Sequence, residues 1–306
     1  MTFRYDNRVA IVTGAGNGLG RSHALGLAAR GAKVVVNDLG GAVDGSGSQL
    51  SAAESVVEEI RAAGGEAIAN GANVTQPDEV EAMVQSAIDK WGRVDILINN
   101  AGILRDKSFS KMSLDDFRLV LDVHLMGAAI CSKAVWDLMK EQQYGRIVMT
   151  SSSSGIYGNF GQSNYGAAKM GVVGLMNVLH LEGAKYGIRV NALSPTAATR
   201  MTEGLIEPEA LELMTVESVT AGLLYLVGDE APARLVLCAG AGGYAATRIY
   251  ETDGICLSPE EQTPENIALN IEHILDTSRQ TMLQQGADQT IKFIARAVQM
   301  RGTAAS

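Results

Sequence analysis

Short apolar runs and amphipathic stretches alternate from residue 9 to residue 238, and few folds can bury such a pattern. Val9–Thr13, Lys33–Asn37, Ala67–Asn70, Val94–Ile98, Arg146–Thr150, Ile188–Leu193 and Arg234–Cys238 read as strands. Leu19–Arg30, Ala52–Ala63, a stretch ending near Trp91, a long stretch from Ser113 to about Gln142, Ser163–Tyr186 and Glu217–Val227 read as helices. Strands that alternate with helices at this spacing form βαβ units, and βαβ units build a parallel sheet with helices on both faces. The pattern therefore predicts a doubly wound, seven-stranded parallel α/β sheet. Gly31, Gly64-Gly65, Gly92 and Gly187 stand where helices should stop, and Thr75-Gln76-Pro77-Asp78 and Ser113-Leu114-Asp115-Asp116 read as capping boxes. No Pro/Ser-rich linker divides residues 1–250, so one domain is expected over 1–256. Residues 257–306 read as a helical C-terminal extension, too short for a core of its own. Thr263-Pro264-Glu265 opens one helix there, and Ile291, Ile294, Ala295 and Val298 make an apolar stripe.

Composition removes several classes. Of the 306 residues, 46% are hydrophobic and 19% charged, which excludes a disordered chain. A net charge of −9 lacks the basic surplus that a nucleic-acid face needs. Apolar runs such as Val34-Val35-Val36 fall short of a membrane span of ~18–20 residues, and the N-terminus has no apolar signal-peptide core. Cys131, Cys238 and Cys256 are far apart without a CxxC pair, and His23, His124, His180 and His273 show no HExxH spacing. Neither a disulfide scaffold nor a metal site is expected. A soluble protein of a reducing compartment is.

The first strand leads into Thr13-Gly14-Ala15-Gly16-Asn17-Gly18-Leu19-Gly20, immediately before a helix. Glycines alone make a tight turn. Between a strand and a helix they let backbone approach a pyrophosphate, which the free N–H groups of the helix terminus attract. Asp38 ends the second strand at the place of a ribose-binding carboxylate, and it would repel a 2′-phosphate. No Lys or Arg in the glycine loop or at position 39 offsets that charge. NAD is the expected cofactor, although an Asp chosen only for a turn would look the same. Asn73 and Val74 follow the third strand, where the loop passes an adenine ring. Asn99-Asn100-Ala101-Gly102 follows the fourth; Asn100, Ala101 and Gly102 would lie beside the cofactor, and Asn99 would bond neighbouring strand backbones.

Tyr165 and Lys169 are four apart on a predicted helix and share one face, and Ser152 lies just past the fifth strand. A phenol of pKa ≈ 10 is a poor base at neutral pH, and a neighbouring ammonium favours the phenolate. Tyr165 could then take a hydroxyl proton while hydride leaves the same carbon. Singly, a helix Tyr is packing and a helix Lys is solvated; the combination behind a glycine loop is harder to ascribe to chance. Arg105, Lys107 and Lys111 cluster in a loop expected to border the substrate cleft, as phosphate contacts or as solvated charges. His23 and His180 read as helix packing. Met201–Leu213 suits either a mobile lid or a packed helix.

The T-G-x-x-x-G-x-G, N-N-A-G and S-x12-Y-x3-K patterns, in this order, resemble the short-chain dehydrogenase/reductase superfamily over about residues 5–240. The resemblance implies a Rossmann-type fold. It implies that Ser152 bonds the substrate oxygen and that Tyr165 is the general acid/base. Lys169 would bind the nicotinamide ribose and lower the Tyr165 pKa. Gly14, Asn17, Gly18, Leu19, Asp38, Asn73, Val74, Asn100, Ala101, Gly102, Tyr165, Lys169, Pro195 and Thr199 would line the dinucleotide. His124 stands in Asp122-Val123-His124-Leu125-Met126-Gly127, where the superfamily usually has a relay Asn. It either relays protons or packs. This segment, VVVNDLGG at Val34–Gly41, the stretch from Ser152 to Tyr165 and Ser194–Thr202 are together similar to (3R)-hydroxyacyl-CoA dehydrogenase domains of the peroxisomal multifunctional enzyme type 2 family. That implies an acyl-CoA thioester substrate, with a 17β-hydroxysteroid as the alternative, and a homodimer or homotetramer. A non-catalytic dinucleotide-binding protein of the same fold is the rival of another class, and an interaction module in the C-terminal helices is compatible with either. The terminal Ala-Ala-Ser is not an S-K-L address, so a free-standing cytoplasmic bacterial homologue is expected.

Overall fold

The computed structural model describes residues 2–41, 44–46, 51–197 and 208–304. The chain forms two compact units, Met1–Ala246 and Thr247–Ser306. The boundary lies about ten residues before the one expected between Cys256 and Leu257. In the first unit the order is β1 (Val9–Thr13), α1 (Gly18–Ala28), β2 (Lys33–Asn37), α2 (Ser51–Ala62), β3 (Ala67–Asn70), α3 (Pro77–Trp91) and β4 (Ile96–Asn99). Then come α4 (Leu114–Leu121), a π-helical turn (Asp122–Met126), α5 (Gly127–Gln142), β5 (Gly145–Thr150), α6 (Ser153–Tyr157), α7 (Ser163–Gly183) and β6 (Ile188–Thr196). The unit ends with α8 (Pro208–Leu213), α9 (Val216–Leu226), β7 (Val236–Gly240) and β8 (Gly243–Thr247).

The sheet order is β3-β2-β1-β4-β5-β6-β7-β8, and every pairing from β3 to β7 is parallel. The order of the strands reverses between β1 and β4, which leaves at their carboxyl ends the crevice where ligands bind in open α/β sheets. The strands read as unbroken apolar runs because both faces are covered. Val12, Val36 and Ile98 point to one side, where Leu27, Ile60 and Leu223 of α1, α2 and α9 meet them. Ile11, Val35 and Leu97, each one residue earlier, point to the other, against Met83, Val135 and Met176 of α3, α5 and α7.

Several elements differ from expectation. The sheet gains an eighth strand: Ala241 and Gly242, both at positive φ (48° and 77°), turn the chain back after β7 as a type I′ hairpin. Strand β7 starts at Val236 because Arg234 sits at φ 59°. Strand β6 runs on through Pro195, which is registered with Ala239. The Thr75 capping box does not form: Gln76 is the cap of α3 without a side-chain bond, and the Thr75 hydroxyl donates instead to Asn73 Oδ1 at 2.9 Å. Ser113 does cap α4, accepting from Asp116 N at 3.0 Å. Leu114–Gln142 is long and apolar enough, by composition, to cross a membrane. Its buried side chains Val120, Ala128, Cys131, Val135 and Met139 belong to the cores beside the sheet, as those of a core helix do.

The second unit holds β9 (Glu251–Thr252), α10 (Pro264–Leu269), α11 (Ile271–Leu275), β10 (Gln280–Thr281) and α12 (Gly286–Ala304). Strands β9 and β10 pair antiparallel, Thr263 caps α10, and Glu251 takes an ion pair from Lys292 at 2.8 Å. Ile291, Ile294 and Val298 are exposed.

Candidate active site

The loop from β1 to α1 is shaped for close backbone approach. Gly14 and Gly18 have φ of 63° and 52°. A Cβ on Gly20 would lie 2.1 Å from Gly14 O, so helix and loop touch where only glycine fits. Asn17 precedes α1 without a side-chain cap, which leaves the first N–H groups of the helix for a ligand. The Asn100 amide clamps this loop from β4, donating to the carbonyls of Thr13 and Gly14 at 2.9 and 3.0 Å. Asp38 leaves β2 beside it. Its carboxylate accepts from Gly16 N and Gly40 N, each at 2.7 Å.

These residues open onto one cleft of about 670 Å³. That lies within the range of small-molecule sites. Gly14, Asn17, Gly18, Leu19, Asp38, Asn73, Val74, Asn100, Ala101, Gly102 and Pro195 all line it, and so do Ser152, Tyr165, Lys169 and His124. Thr199 and residues 201–207 of the expected lid lie outside the described residues; Met214 lines the cleft. Glycine cradle, uncapped helix terminus and carboxylate together fit a nicotinamide dinucleotide.

Strand β5 delivers Thr150 and, two residues on, Ser152, which caps α6. Helix α7 presents Tyr165 and Lys169 one turn apart. Burial pushes the Tyr165 phenol above its ordinary 10; a hydrogen bond with Ser152 acts the other way, and the Asp106 carboxylate adds to the rise. Burial brings Lys169 down to about 7, and its ammonium donates to Thr150 O at 2.7 Å. Desolvation sets the direction of the Tyr165 shift, and Lys169 is not among its causes.

His124 sits in the π-turn, 4% exposed. Its Nε2 lies 2.8 Å from Ile103 O and 3.1 Å from Ile103 N, and its ring meets Tyr165 edge to face at 5.1 Å. Burial first, and the Lys169 charge second, hold its pKa well below 6.5, so the imidazole is neutral. Asn99 departs from its expected bonds to strand backbones: its Nδ2 donates to Ser132 Oγ of α5 at 3.1 Å.

Residues 8–210 match the family described as short chain dehydrogenase. The chain belongs to the short-chain dehydrogenase family. It is 46% identical over 290 residues to the peroxisomal multifunctional enzyme type 2 of Mus musculus, covering 94% of this chain but 39% of that protein. The solved full-length peroxisomal multifunctional enzyme type 2 of Drosophila melanogaster superimposes with a TM-score of 0.82 at 36% identity, over 97% of this chain and 50% of that one. This short-chain dehydrogenase therefore spans about half or less of those two proteins. A 7α-hydroxysteroid dehydrogenase solved with NADH and a 7-oxo bile acid gives a TM-score of 0.71 at 29% identity, over 79% of this chain and 96% of that one.

As a short-chain dehydrogenase, the protein is an oxidoreductase acting on CH–OH groups with a nicotinamide dinucleotide. Sequence reasoning missed the Thr150 carbonyl that holds Lys169 and the Ile103 backbone that holds His124. Both partners are main-chain groups, which side-chain identity does not advertise. Arg105 and Lys107 do not line the cleft. Arg105 is committed to Asp116 at 2.9 Å and Asp44 O at 2.8 Å, and Lys107 reaches Asp116 at 3.5 Å. His23 packs as expected, its Nδ1 2.8 Å from Thr220 Oγ1.

Proposed function

We propose that this chain oxidises a (3R)-3-hydroxyacyl-CoA to the 3-ketoacyl-CoA with NAD. The observation that carries the reading is one cleft lined by Ser152, Tyr165 and Lys169 together with the glycine loop and Asp38. The likeness to multifunctional enzyme type 2 proteins along nearly the whole chain supports the acyl-CoA. Bound dinucleotide supplies the hydride acceptor. Ser152 holds the substrate oxygen, and Tyr165 Oη receives the hydroxyl proton. Lys169 keeps one N–H on Thr150 O and offers the others to the nicotinamide ribose. The exposed Met170, Val178 and Leu181 of α7 support pairing of two copies through this helix.

NADH formation on matched (3R)- and (3S)-3-hydroxyacyl-CoA, with a 17β-hydroxysteroid alongside, tests the reading. Faster turnover of the (3R) thioester is expected; a steroid turned over while both thioesters are inert would overturn it. Cofactor choice rests on Asp38. Among the described residues lining the cleft, Lys169 is the only Lys or Arg, and it lies at the nicotinamide end of the reading. NAD is therefore expected to be preferred over NADP by at least tenfold, about 1.4 kcal/mol. Asp38→Asn keeps an acceptor for Gly16 N while removing the charge, and should narrow the ratio. Equal use of NADP by the unaltered protein sinks the assignment.

A further inference from the structure

A second, much smaller space lies under the π-turn, with Thr13, Asn99, Val123 and His124 in its wall. At about 10 Å³ it has room for about one water. Tyr165 and Lys169 do not line it. Two polar atoms of its wall residues have no partner: Asn99 Oδ1 and His124 Nδ1. Both residues are more than nine-tenths buried, at 7% and 4% exposure. Thr13 is already satisfied, donating to Ile98 O and accepting from Asn100 N and Ala101 N. Buried polar groups are nearly always paired, with protein or with ordered water.

We propose that one internal water bridges His124 Nδ1 and Asn99 Oδ1, and that His124 so fixed is a positioning residue for Tyr165. A neutral imidazole carries one N–H and one lone pair. Contact with the Ile103 backbone uses Nε2 in either tautomer, which leaves Nδ1 for the water. The water donates one hydrogen to Asn99 Oδ1 and either donates to Nδ1 or accepts from it. The remaining sides of the ring are closed by the Tyr165 edge contact and by Gly102, where a Cβ would lie 2.2 Å from His124 Cε1. With both nitrogens engaged in this way, the ring holds the phenol in place and relays no proton. A π-turn in a long helix, the kind of bulge that recurs at functional sites, sets the ring at this depth.

The kinetic half of the proposal rests on the dehydrogenase reading above; the water does not. The test is ¹⁵N NMR of the full chain labelled at histidine, with His124 assigned by its loss in His124→Asn. Unaltered protein should show a hydrogen-bonded Nδ1 in cross-relaxation with water. Asn99→Leu keeps the volume and removes the acceptor, so the Nδ1 resonance should move, with kcat reduced at least fivefold and KM for NAD unchanged. Ser132→Ala, which removes a partner of Asn99 Nδ2 outside the cavity wall, should leave the His124 Nδ1 resonance in place. An Nδ1 without a hydrogen bond in the unaltered protein overturns the water, and needs no variant to fold. An unchanged kcat in Asn99→Leu with a shifted Nδ1 overturns the positioning role. A water-bonded Nδ1 in a protein that turns over no secondary alcohol would fault the functional reading instead.

Discussion

Tyr165→Phe lowers turnover at least about a hundredfold while NAD binding and thermal stability stay near their starting values. The substitution removes one hydroxyl and keeps the ring that meets His124 edge to face. General acid–base catalysis is typically worth 10²–10⁴-fold, and this phenol is the one hydrogen-bonded to Ser152 among the titratable side chains described in the cleft. Steady-state NADH formation and a cofactor titration on the same preparation separate the two effects. Near-full activity in the variant would overturn the mechanism.

Lys169→Met has two consequences of opposite sign. Turnover falls and NAD binds more weakly, because the ammonium offered to the ribose is gone. Without cofactor, the folded protein becomes more stable at pH 6. Burial lowers the Lys169 pKa from 10.5 to about 7. Below pH 7 the folded state bears the full cost of a buried cation. Between about 7 and 10.5 the unfolded chain binds the extra proton, so stability of the unaltered protein rises with pH through that window. The shift corresponds to on the order of 4–5 kcal/mol. Stranding the Thr150 carbonyl takes back roughly 1–3 of these. A gain of about 2 kcal/mol, or on the order of 5 °C in melting temperature, remains at pH 6. It shrinks as pH approaches 10. Thermal melts at pH 6 and pH 9 check this; equal destabilisation at both would show that the buried charge costs nothing.

What the chain declares about itself follows from where its side chains go. Val34-Val35-Val36 reads as a strand because both faces of β2 are buried. Gly14, Gly18 and Gly20 are legible because the loop they form admits no other residue, and Tyr165 and Lys169 because a helix brings positions four apart together. Strand β8 went unread because Gly243–Ala246 are all exposed and Thr247 is half-buried, so no alternation marks them. The π-turn is silent since Asp122-Val123-His124-Leu125-Met126 has the composition of ordinary helix. Thr75 looked like a cap, but Asn73 two residues earlier captured its hydroxyl. Asn99 found Ser132, 33 positions away, a partner that only the fold supplies.

The central claim is that hydride passes from the carbinol carbon of the substrate to the dinucleotide held against Tyr165 and Lys169. A (3R)-3-hydroxyacyl-CoA carrying deuterium at C3 tests it most directly. The reduced nicotinamide should carry the deuterium in full, with none released to solvent, and Tyr165→Phe should slow the transfer without changing where the label goes. Reduced dinucleotide formed without label, or label lost to water, would contradict the account.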